Sequence, residues 1–220
     1  MMHKTVQNLI DIQKEINSNL NSLELARVPK IIAVSKTFTI DKIYPLIEHG
    51  HLDFGENKVQ EAIDKWGDIK SKNKKLNLHL IGNLQTNKVK FAIKLFDFIH
   101  SVDSEKLAKK IFDEQIKQNK KIKIFIQVNI GNEKQKSGVS KSSLPDLYTY
   151  CKSLDLDVIG LMCIPPMIKS NHNYFEEMNI LNKSFGFNEL SMGMSADYLD
   201  ALKNSASYLR IGSSIFGQRS

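Results

Sequence analysis

Short apolar runs alternate with helix-like segments along the whole chain, and this alternation limits the fold more than any other feature. Eight runs share this character: Ile31–Val34, Leu52–Gly55, Leu78–Ile81, Phe96–Val102, Ile122–Ile130, Val158–Ile164, Leu190–Met194 and Leu209–Phe216. Apolar runs that are flanked by polar residues are typical of parallel strands that are buried on both faces. The sequence therefore predicts an α/β protein with a parallel sheet.

Helical patterns fill the segments between these runs. Seven segments are predicted to be helices: Asp41–His49, Lys58–Trp66, Asn87–Leu95, Ser104–Gln118, Leu144–Leu154, Tyr174–Phe185 and Asp197–Asn204. An eighth, leading helix is predicted to end near Ala26, because apolar residues recur every three or four positions at Leu9, Ile12, Ile16, Leu20 and Leu23. This count predicts a single (β/α)8 TIM barrel over residues 1–220 with an extra N-terminal helix. An open doubly wound sheet is the alternative architecture.

The composition of the chain limits its partners. The 220 residues carry a net charge of +7, but lysine greatly outnumbers arginine, and asparagine, isoleucine and lysine are abundant throughout. This pattern indicates a general compositional bias, so nucleic acid is not an expected partner, although a nucleic-acid or protein-binding module remains an alternative function. The lysine-rich piece Lys70–Lys75 is expected to be a solvated loop.

Cysteine use and hydropathy predict where the protein works. Cys151 and Cys163 are the two cysteines, and they have neither metal-type spacing nor the density of a disulfide framework. No apolar run has the length of a signal peptide core or of a membrane span. We therefore expect a cytoplasmic protein with no metal site and no membrane partner.

Lys36 directly follows the first predicted strand. In a parallel barrel, ligands bind at the carboxyl ends of the strands. A lysine in a partly dry pocket loses its proton more easily than one in water, and neutral lysine forms Schiff bases with carbonyl compounds. The alternative interpretation is an ordinary solvated lysine at a strand end.

Glycine and serine follow the last two strands. Ser191–Ser195 closes strand seven, and Arg210–Ser214 covers strand eight and the turn after it. Barrels often bind phosphate in these two loops, because glycine lets backbone N–H groups approach an anion and serine adds a hydroxyl donor. A ligand with both an aldehyde and a phosphate, such as pyridoxal 5′-phosphate, would suit this site and Lys36 together. In the alternative, a sugar phosphate binds and Lys36 only neutralises charge.

Asn57, after strand two, is a further candidate, although it could simply cap a helix.

Seven motifs of the chain resemble the pyridoxal phosphate homeostasis protein family, in order and over nearly the whole length. They are Ala33–Thr37, Phe54–Glu61, His79–Lys88, Lys136–Gly138, Gly160–Met162, Leu190–Asp197 and Arg210–Gly217. The fold of that family is similar to the barrel domain of alanine racemase. Its members bind pyridoxal phosphate and are implicated in vitamin B6 and amino-acid homeostasis, without an established catalytic reaction.

The resemblance implies six cofactor-binding residues: Lys36, Asn57, Ser195, Arg210, Gly212 and Ser213. Lys36 would hold the cofactor as an imine. Ser195 would donate its hydroxyl to the phosphate, and Gly212 and Ser213 would form a backbone cradle. Arg210 would lie beside the pyridine nitrogen, which would then stay unprotonated.

Two lysines near the predicted site have no assigned role. Lys136 is expected near the barrel mouth without being the lysine that forms the imine. Lys58 stands where the family commonly has a tyrosine, so it could alter the mouth.

Two functions based on pyridoxal phosphate follow from the resemblance. The first is a carrier or homeostasis protein, with pyridoxal-phosphate-dependent apo-enzymes as partners. The second is an enzyme such as a racemase, which needs an acid/base group on each face of the substrate. Racemases of this fold take one such group from an additional domain of a partner subunit, and this chain ends at Ser220. We therefore expect a monomer without a catalytic reaction of its own.

Overall fold

The computed structural model describes residues 2–22, 27–166 and 173–218, and its eight parallel strands close into a barrel. The strands are β1 (Lys30–Val34), β2 (Asp53–Glu56), β3 (Asn77–Leu80), β4 (Phe98–Val102), β5 (Lys123–Gln127), β6 (Asp157–Met162), β7 (Glu189–Met194) and β8 (Tyr208–Ile211). β1 pairs with β8 in parallel, with Ile32 opposite Arg210. This closure confirms the TIM barrel and excludes the open sheet.

Helices follow the strands and cover the outside of the barrel. They are α1 (Lys4–Ser22), α2 (Ile40–Glu48), α3 (Val59–Lys72), a 3-10 helix (Thr86–Lys88), α4 (Val89–Leu95), α5 (Glu105–Gln118), α6 (Leu144–Ser153), α7 (Tyr174–Ser184), α8 (Tyr198–Lys203) and α9 (Ser213–Phe216). α1 is the extra N-terminal helix, and its expected end, with Leu23 and Ala26, lies outside the described residues. Within the described ranges, no helix has the length and apolar character that crossing a lipid bilayer requires.

The prediction of a strand over Leu209–Phe216 is wrong in its second half. β8 ends at Ile211, and α9 follows, because the N–H groups of Ile215 and Phe216 both donate to the Gly212 carbonyl, at 3.0 and 2.9 Å. The two apolar side chains of α9 are buried. A short apolar run is compatible with a strand or with a buried helical turn, and tertiary packing decides between them.

The interpretation of Lys70–Lys75 as a solvated loop is also wrong for its first three residues, because α3 extends to Lys72. Lys70 lies on α3, and its Nζ forms an ion pair with Asp97 Oδ2 at 2.6 Å and contacts the Leu76 carbonyl. The same carboxylate oxygen accepts the N–H of Leu78 at 2.8 Å. This lysine therefore ties α3 to the starts of β3 and β4.

Two apolar layers stabilise the fold, one between barrel and helices and one inside the barrel. The inner layer consists of Ile32, Val34, Phe98, Phe125, Met162 and Tyr208. Buried among the strands there are also polar side chains, namely His79, His100, Ser191 and Arg210. Buried polar groups in proteins are nearly always hydrogen-bonded, so this interior must contain an internal polar network.

Candidate functional site

A cavity of about 600 Å³ opens at the carboxyl ends of the strands. All six residues that were predicted to bind the cofactor line it: Lys36, Asn57, Ser195, Arg210, Gly212 and Ser213. Lys136 lines it as well, as expected for a residue at the mouth. Lys58 is exposed and is not among the lining residues that the structure describes. The barrel topology therefore gathers the candidates from four separate strand ends and the loop after β5.

The residues on either side of Lys36 are held by acidic side chains. Ser35 Oγ donates a hydrogen bond of 2.7 Å to Glu56 Oε1 at the end of β2. The Thr37 backbone N–H donates to Glu61 Oε1 on α3 at 2.6 Å. Thr37 has φ of +67°, a left-handed conformation that is uncommon outside glycine. These two hydrogen bonds fix the backbone from which the Lys36 side chain extends.

Lys65 on α3 connects the same groups. Its Nζ donates to the Ser35 carbonyl at 2.8 Å and to Oε1 of both Glu56 and Glu61 at 3.0 Å. Partial burial disfavours the Glu61 carboxylate, but the backbone N–H that it accepts and the Lys65 ammonium outweigh burial and lower its pKa. Ser35, Glu56, Glu61 and Lys65 therefore form a polar cluster, here called the Lys36 clamp, which the sequence patterns did not reveal. Its hydrogen bonds to Glu56 go to Oε1, whereas the buried Glu56 Oε2 has no hydrogen-bond partner among the described residues.

Hydrogen-bond donors meet in the loops after β7 and β8. Ser195 Oγ accepts the backbone N–H groups of Gly212 and Ser214 at 3.2 and 3.3 Å. A hydroxyl that accepts two hydrogen bonds still has its own proton to donate. One hydroxyl and two backbone N–H groups thus gather where Ser195, Gly212 and Ser213 line the cavity. This arrangement can bind an oxyanion.

Close packing of two loops brings Asn57 to the cavity. A Cβ atom at Gly82 would lie 2.3 Å from the Asn57 carbonyl oxygen, so only glycine allows this approach. Asn57 does not cap α3, because the N-cap position is Lys58, which makes no side-chain capping bond. The capping interpretation of Asn57 is therefore wrong, and the residue lines the cavity instead.

Lys136 is held at the rim by its own loop. Its Nζ donates to the Pro165 carbonyl at 3.0 Å and forms an ion pair with Glu133 Oε2 at 2.5 Å. Asn129 orders this loop, because its side chain accepts the N–H of Glu133 at 3.0 Å and donates to the Glu133 carbonyl at 2.8 Å. Lys136 is therefore a positioned cation at the cavity rim.

Arg210 reaches the cavity from inside the barrel. It is buried on β8, and its Nη1 donates to Ser191 Oγ and its Nη2 to the Cys163 carbonyl, both at 2.8 Å. Burial lowers the pKa of the Arg210 guanidinium from its ordinary value. Two hydrogen bonds from different nitrogen atoms define the plane of the guanidinium.

A polar chain continues from Ser191 through the barrel. Ser191 Oγ is 2.9 Å from His100 Nδ1, His100 Nε2 is 3.0 Å from His79 Nδ1, and His79 Nε2 is 3.0 Å from Asp53 Oδ1. Sequence reasoning missed this chain. The available signal was a histidine in the middle of each of two apolar strands, at Leu78–Leu80 and Ile99–Ser101.

Comparisons with known proteins agree on one family. The family model described as alanine racemase, N-terminal domain, matches residues 11–220. The pyridoxal phosphate homeostasis protein of Pasteurella multocida is 33% identical over 228 residues and covers 97% of both chains. That of Aquifex aeolicus is 36% identical over 200 residues, covering 86% of this chain and 87% of the relative.

A solved structure gives the same answer. The structure of PipY from Synechococcus elongatus, with pyridoxal phosphate bound, superposes with a TM-score of 0.79 at 31% identity. The match covers 92% of this chain and 100% of PipY. The chain thus belongs to the pyridoxal phosphate homeostasis protein family and has the barrel of the alanine racemase N-terminal domain.

Proposed function

We propose that this protein binds pyridoxal 5′-phosphate in the barrel-mouth cavity and acts in vitamin B6 and amino-acid homeostasis. One observation carries the proposal: a primary amine, Lys36, and an anion-binding donor group around Ser195 line the same cavity. The names of the relatives and the pyridoxal phosphate in PipY support it. The cavity volume also fits, since small-molecule sites enclose roughly 300–1,000 Å³.

The residues of the cavity match the chemical groups of pyridoxal phosphate. The Ser195 hydroxyl and the backbone N–H groups of the loop from Gly212 through Ser213 to Ser214 would hold the phosphate. Arg210 and Asn57 would contact the ring. When bound, the cofactor supplies an aldehyde, which condenses with a primary amine to an imine with loss of one water molecule. Lys36 would provide that amine. The Lys36 clamp supports this role. Because it already fixes the backbone at Lys36, less conformational entropy is lost when the amine approaches the aldehyde.

We further propose that the protein has no catalytic reaction of its own. Racemisation, the competing function, needs acid/base groups on both faces of the substrate. Beyond Lys36, the ionisable lining residues that the structure describes are Lys136 and Arg210, and Lys136 is already paired with Glu133. An assay of amino-acid chirality with the loaded protein tests this point, and steady turnover would contradict it.

The decisive experiment for binding is chemical fixation followed by peptide mapping. The purified protein, loaded with pyridoxal phosphate, is reduced with borohydride, digested and analysed by mass spectrometry. We expect a pyridoxyl group on the peptide that contains Lys36. If the adduct is found only on other lysines, the assignment of Lys36 is wrong, and if no adduct or visible absorption band forms, the proposed function is wrong.

Changes in the donor group should weaken retention of pyridoxal phosphate without unfolding the protein. Ser195→Ala removes one hydrogen bond to a charged phosphate and should cost about 1.5–3 kcal/mol of binding free energy. Gly212→Asp should cost more, because its carboxylate repels the phosphate. A Cβ at this position meets Val34 at 3.4 Å, an ordinary contact, so the fold should tolerate it. Equilibrium dialysis measures both variants, and unchanged affinity in both would contradict the phosphate site.

Lys136→Ala should keep the reducible bond at Lys36. Its ammonium is committed to Glu133 and Pro165, so we expect the adduct to map to the Lys36 peptide as in the wild type. Transfer of pyridoxal phosphate to an apo-enzyme is measured with the same variant, since such enzymes are the proposed recipients. Slower transfer would give Lys136 a role in release, and unchanged transfer would make it a loop residue. Loss of the Lys36 adduct would contradict this prediction.

A further inference from the structure

The polar chain from Asp53 to Arg210 crosses the whole barrel interior. It begins at the first residue of β2, passes through β3 and β4, reaches β7 at Ser191 and ends on β8. Its Arg210 end lines the cavity, and its Asp53 end lies in a second pocket at the opposite end of the barrel. Every link is between 2.8 and 3.0 Å.

The two ends of the chain dictate where each proton lies. Arginine can only donate, so Ser191 Oγ accepts from Arg210, and the Ser191 hydroxyl proton is left to donate to His100 Nδ1 when that nitrogen carries no proton. At the other end His79 donates from Nε2 to Asp53, since a carboxylate only accepts. Because His79 donates from Nε2, a neutral His79 accepts at Nδ1, and a neutral His100 must carry its proton on Nε2 to donate there. This order requires both imidazoles to be neutral Nε2–H tautomers.

The surroundings of the two histidines favour the neutral form. His79 stacks on Phe98 with ring centroids 4.2 Å apart, and His100 stacks on Phe125 at 4.3 Å. Burial lowers the pKa of His79. The carboxylates of Asp53 and Asp97 raise this pKa and the Lys30 ammonium lowers it, but burial outweighs the carboxylates. Burial also holds the pKa of His100 well below its ordinary value, and the neighbouring His79 and Arg210 lower it further.

We propose that Asp53, His79, His100 and Ser191 are positioning residues that hold the Arg210 guanidinium in one orientation at the cavity. Because the Ser191 hydroxyl donates its proton to His100, its oxygen acts towards Arg210 only as an acceptor. The guanidinium plane is therefore fixed before a ligand arrives, and its donors select a hydrogen-bond acceptor. The role in binding rests on the proposed function, because the acceptor is taken to be on the ring of pyridoxal phosphate.

The proton order can be tested without any ligand. Long-range ¹⁵N–¹H NMR spectra of the protein freed of pyridoxal phosphate distinguish the two neutral tautomers and the protonated form of each histidine. We expect His79 and His100 as neutral Nε2–H tautomers at pH 7. A Nδ1–H tautomer or a protonated ring at either position would overturn the chain.

The positioning role is tested with a matched pair of serine variants. Ser191→Ala removes the acceptor of Arg210 Nη1 and leaves the Cys163 carbonyl, the acceptor of Nη2, in place. Ser101→Ala removes a buried hydroxyl that makes no hydrogen bond within the described residues. Ser191→Ala should weaken binding of pyridoxal phosphate about tenfold or more, as expected for one hydrogen bond to a charged group. Its affinity for inorganic phosphate should not change. Ser101→Ala should alter neither affinity.

The outcomes separate positioning from general support of the fold. The positioning role is wrong if Ser191→Ala weakens the binding of inorganic phosphate as much as the binding of pyridoxal phosphate. It is also wrong if the variant binds both ligands as tightly as the wild type. An equal loss in Ser101→Ala would also overturn it, because any buried hydroxyl would then have the same effect. If the wild type takes up no pyridoxal phosphate, the proposed function fails, whereas the NMR spectra still decide the proton order.

Discussion

Lys36→Ala is expected to abolish the borohydride-reducible bond to pyridoxal phosphate and to weaken binding roughly 100-fold or more, since a covalent attachment is lost. The phosphate donors around Ser195 remain, so weaker noncovalent binding should persist. The fold should survive, because Lys36 lies at the cavity and adds little to the core. Absorption spectra, equilibrium dialysis and circular dichroism of the variant measure these three effects.

Two lysines of the same chain serve as controls for Lys36. Lys136 lines the same cavity, and Lys58 is exposed outside it. Lys136→Ala and Lys58→Ala should both keep the reducible bond and the fold. If Lys36→Ala retains the same reducible band as the wild type, another lysine forms the bond and the central assignment is wrong.

Acid should destabilise the protein, starting near pH 6.5. The pKa values of His79 and His100 lie below 6.5 in the folded protein, because burial disfavours their charged forms. The unfolded chain binds protons at these residues as the pH falls below 6.5, and the folded chain does not, so the free energy of unfolding decreases. Each histidine adds a slope of up to about 1.4 kcal/mol per pH unit between its unfolded and folded pKa values. Above pH 7.5 these two groups should have no effect.

Denaturant unfolding at several pH values between 5 and 8 measures this slope. His49→Gln is the control, because His49 is exposed at the end of α2 and takes no part in the polar chain. It should leave the slope nearly unchanged. A free energy of unfolding that stays constant from pH 7.5 to pH 5 would contradict the burial of two neutral histidines.

Much of the fold could be predicted from local patterns. The eight apolar runs identified the strands, because most strand residues of the barrel are buried and apolar, although β2 has a carboxylate at each end. The same reason explains the error at α9. Ile215 and Phe216 are buried and apolar like strand residues, and only the hydrogen bonds to the Gly212 carbonyl make the segment helical.

The position of the candidate site could be predicted, but its supporting network could not. Parallel strands put all their carboxyl ends at one face, so Lys36 and Ser195 meet there whatever the details of the loops. The link from His100 to Ser191 joins residues 91 positions apart and crosses the barrel interior. It depends on which side chains point inward and on the barrel width, and local patterns carry neither. The Lys36 clamp could not be predicted either, because the contacts of Lys65 with Ser35 and Glu56 also depend on how α3 packs against the strand ends.

If the phosphate binds as proposed, the Ser195 hydroxyl would act as a built-in substitute for one phosphate oxygen. Gly212 and Ser214 direct their N–H groups at Ser195 Oγ, so these donors have a partner even when no anion is bound. The three residues are only partly buried, so water can replace the hydroxyl oxygen in Ser195→Ala, and the lost bond to the phosphate should dominate in that variant. In the wild type the internal oxygen means that these donors need not recruit water when the anion leaves. In the proposed site, these N–H groups would exchange the Ser195 oxygen for a phosphate oxygen, which would bring the free energies of the loaded and unloaded protein closer together. A protein that must take up its cargo and also give it away benefits from this balance, whereas an enzyme that keeps its cofactor permanently does not need it.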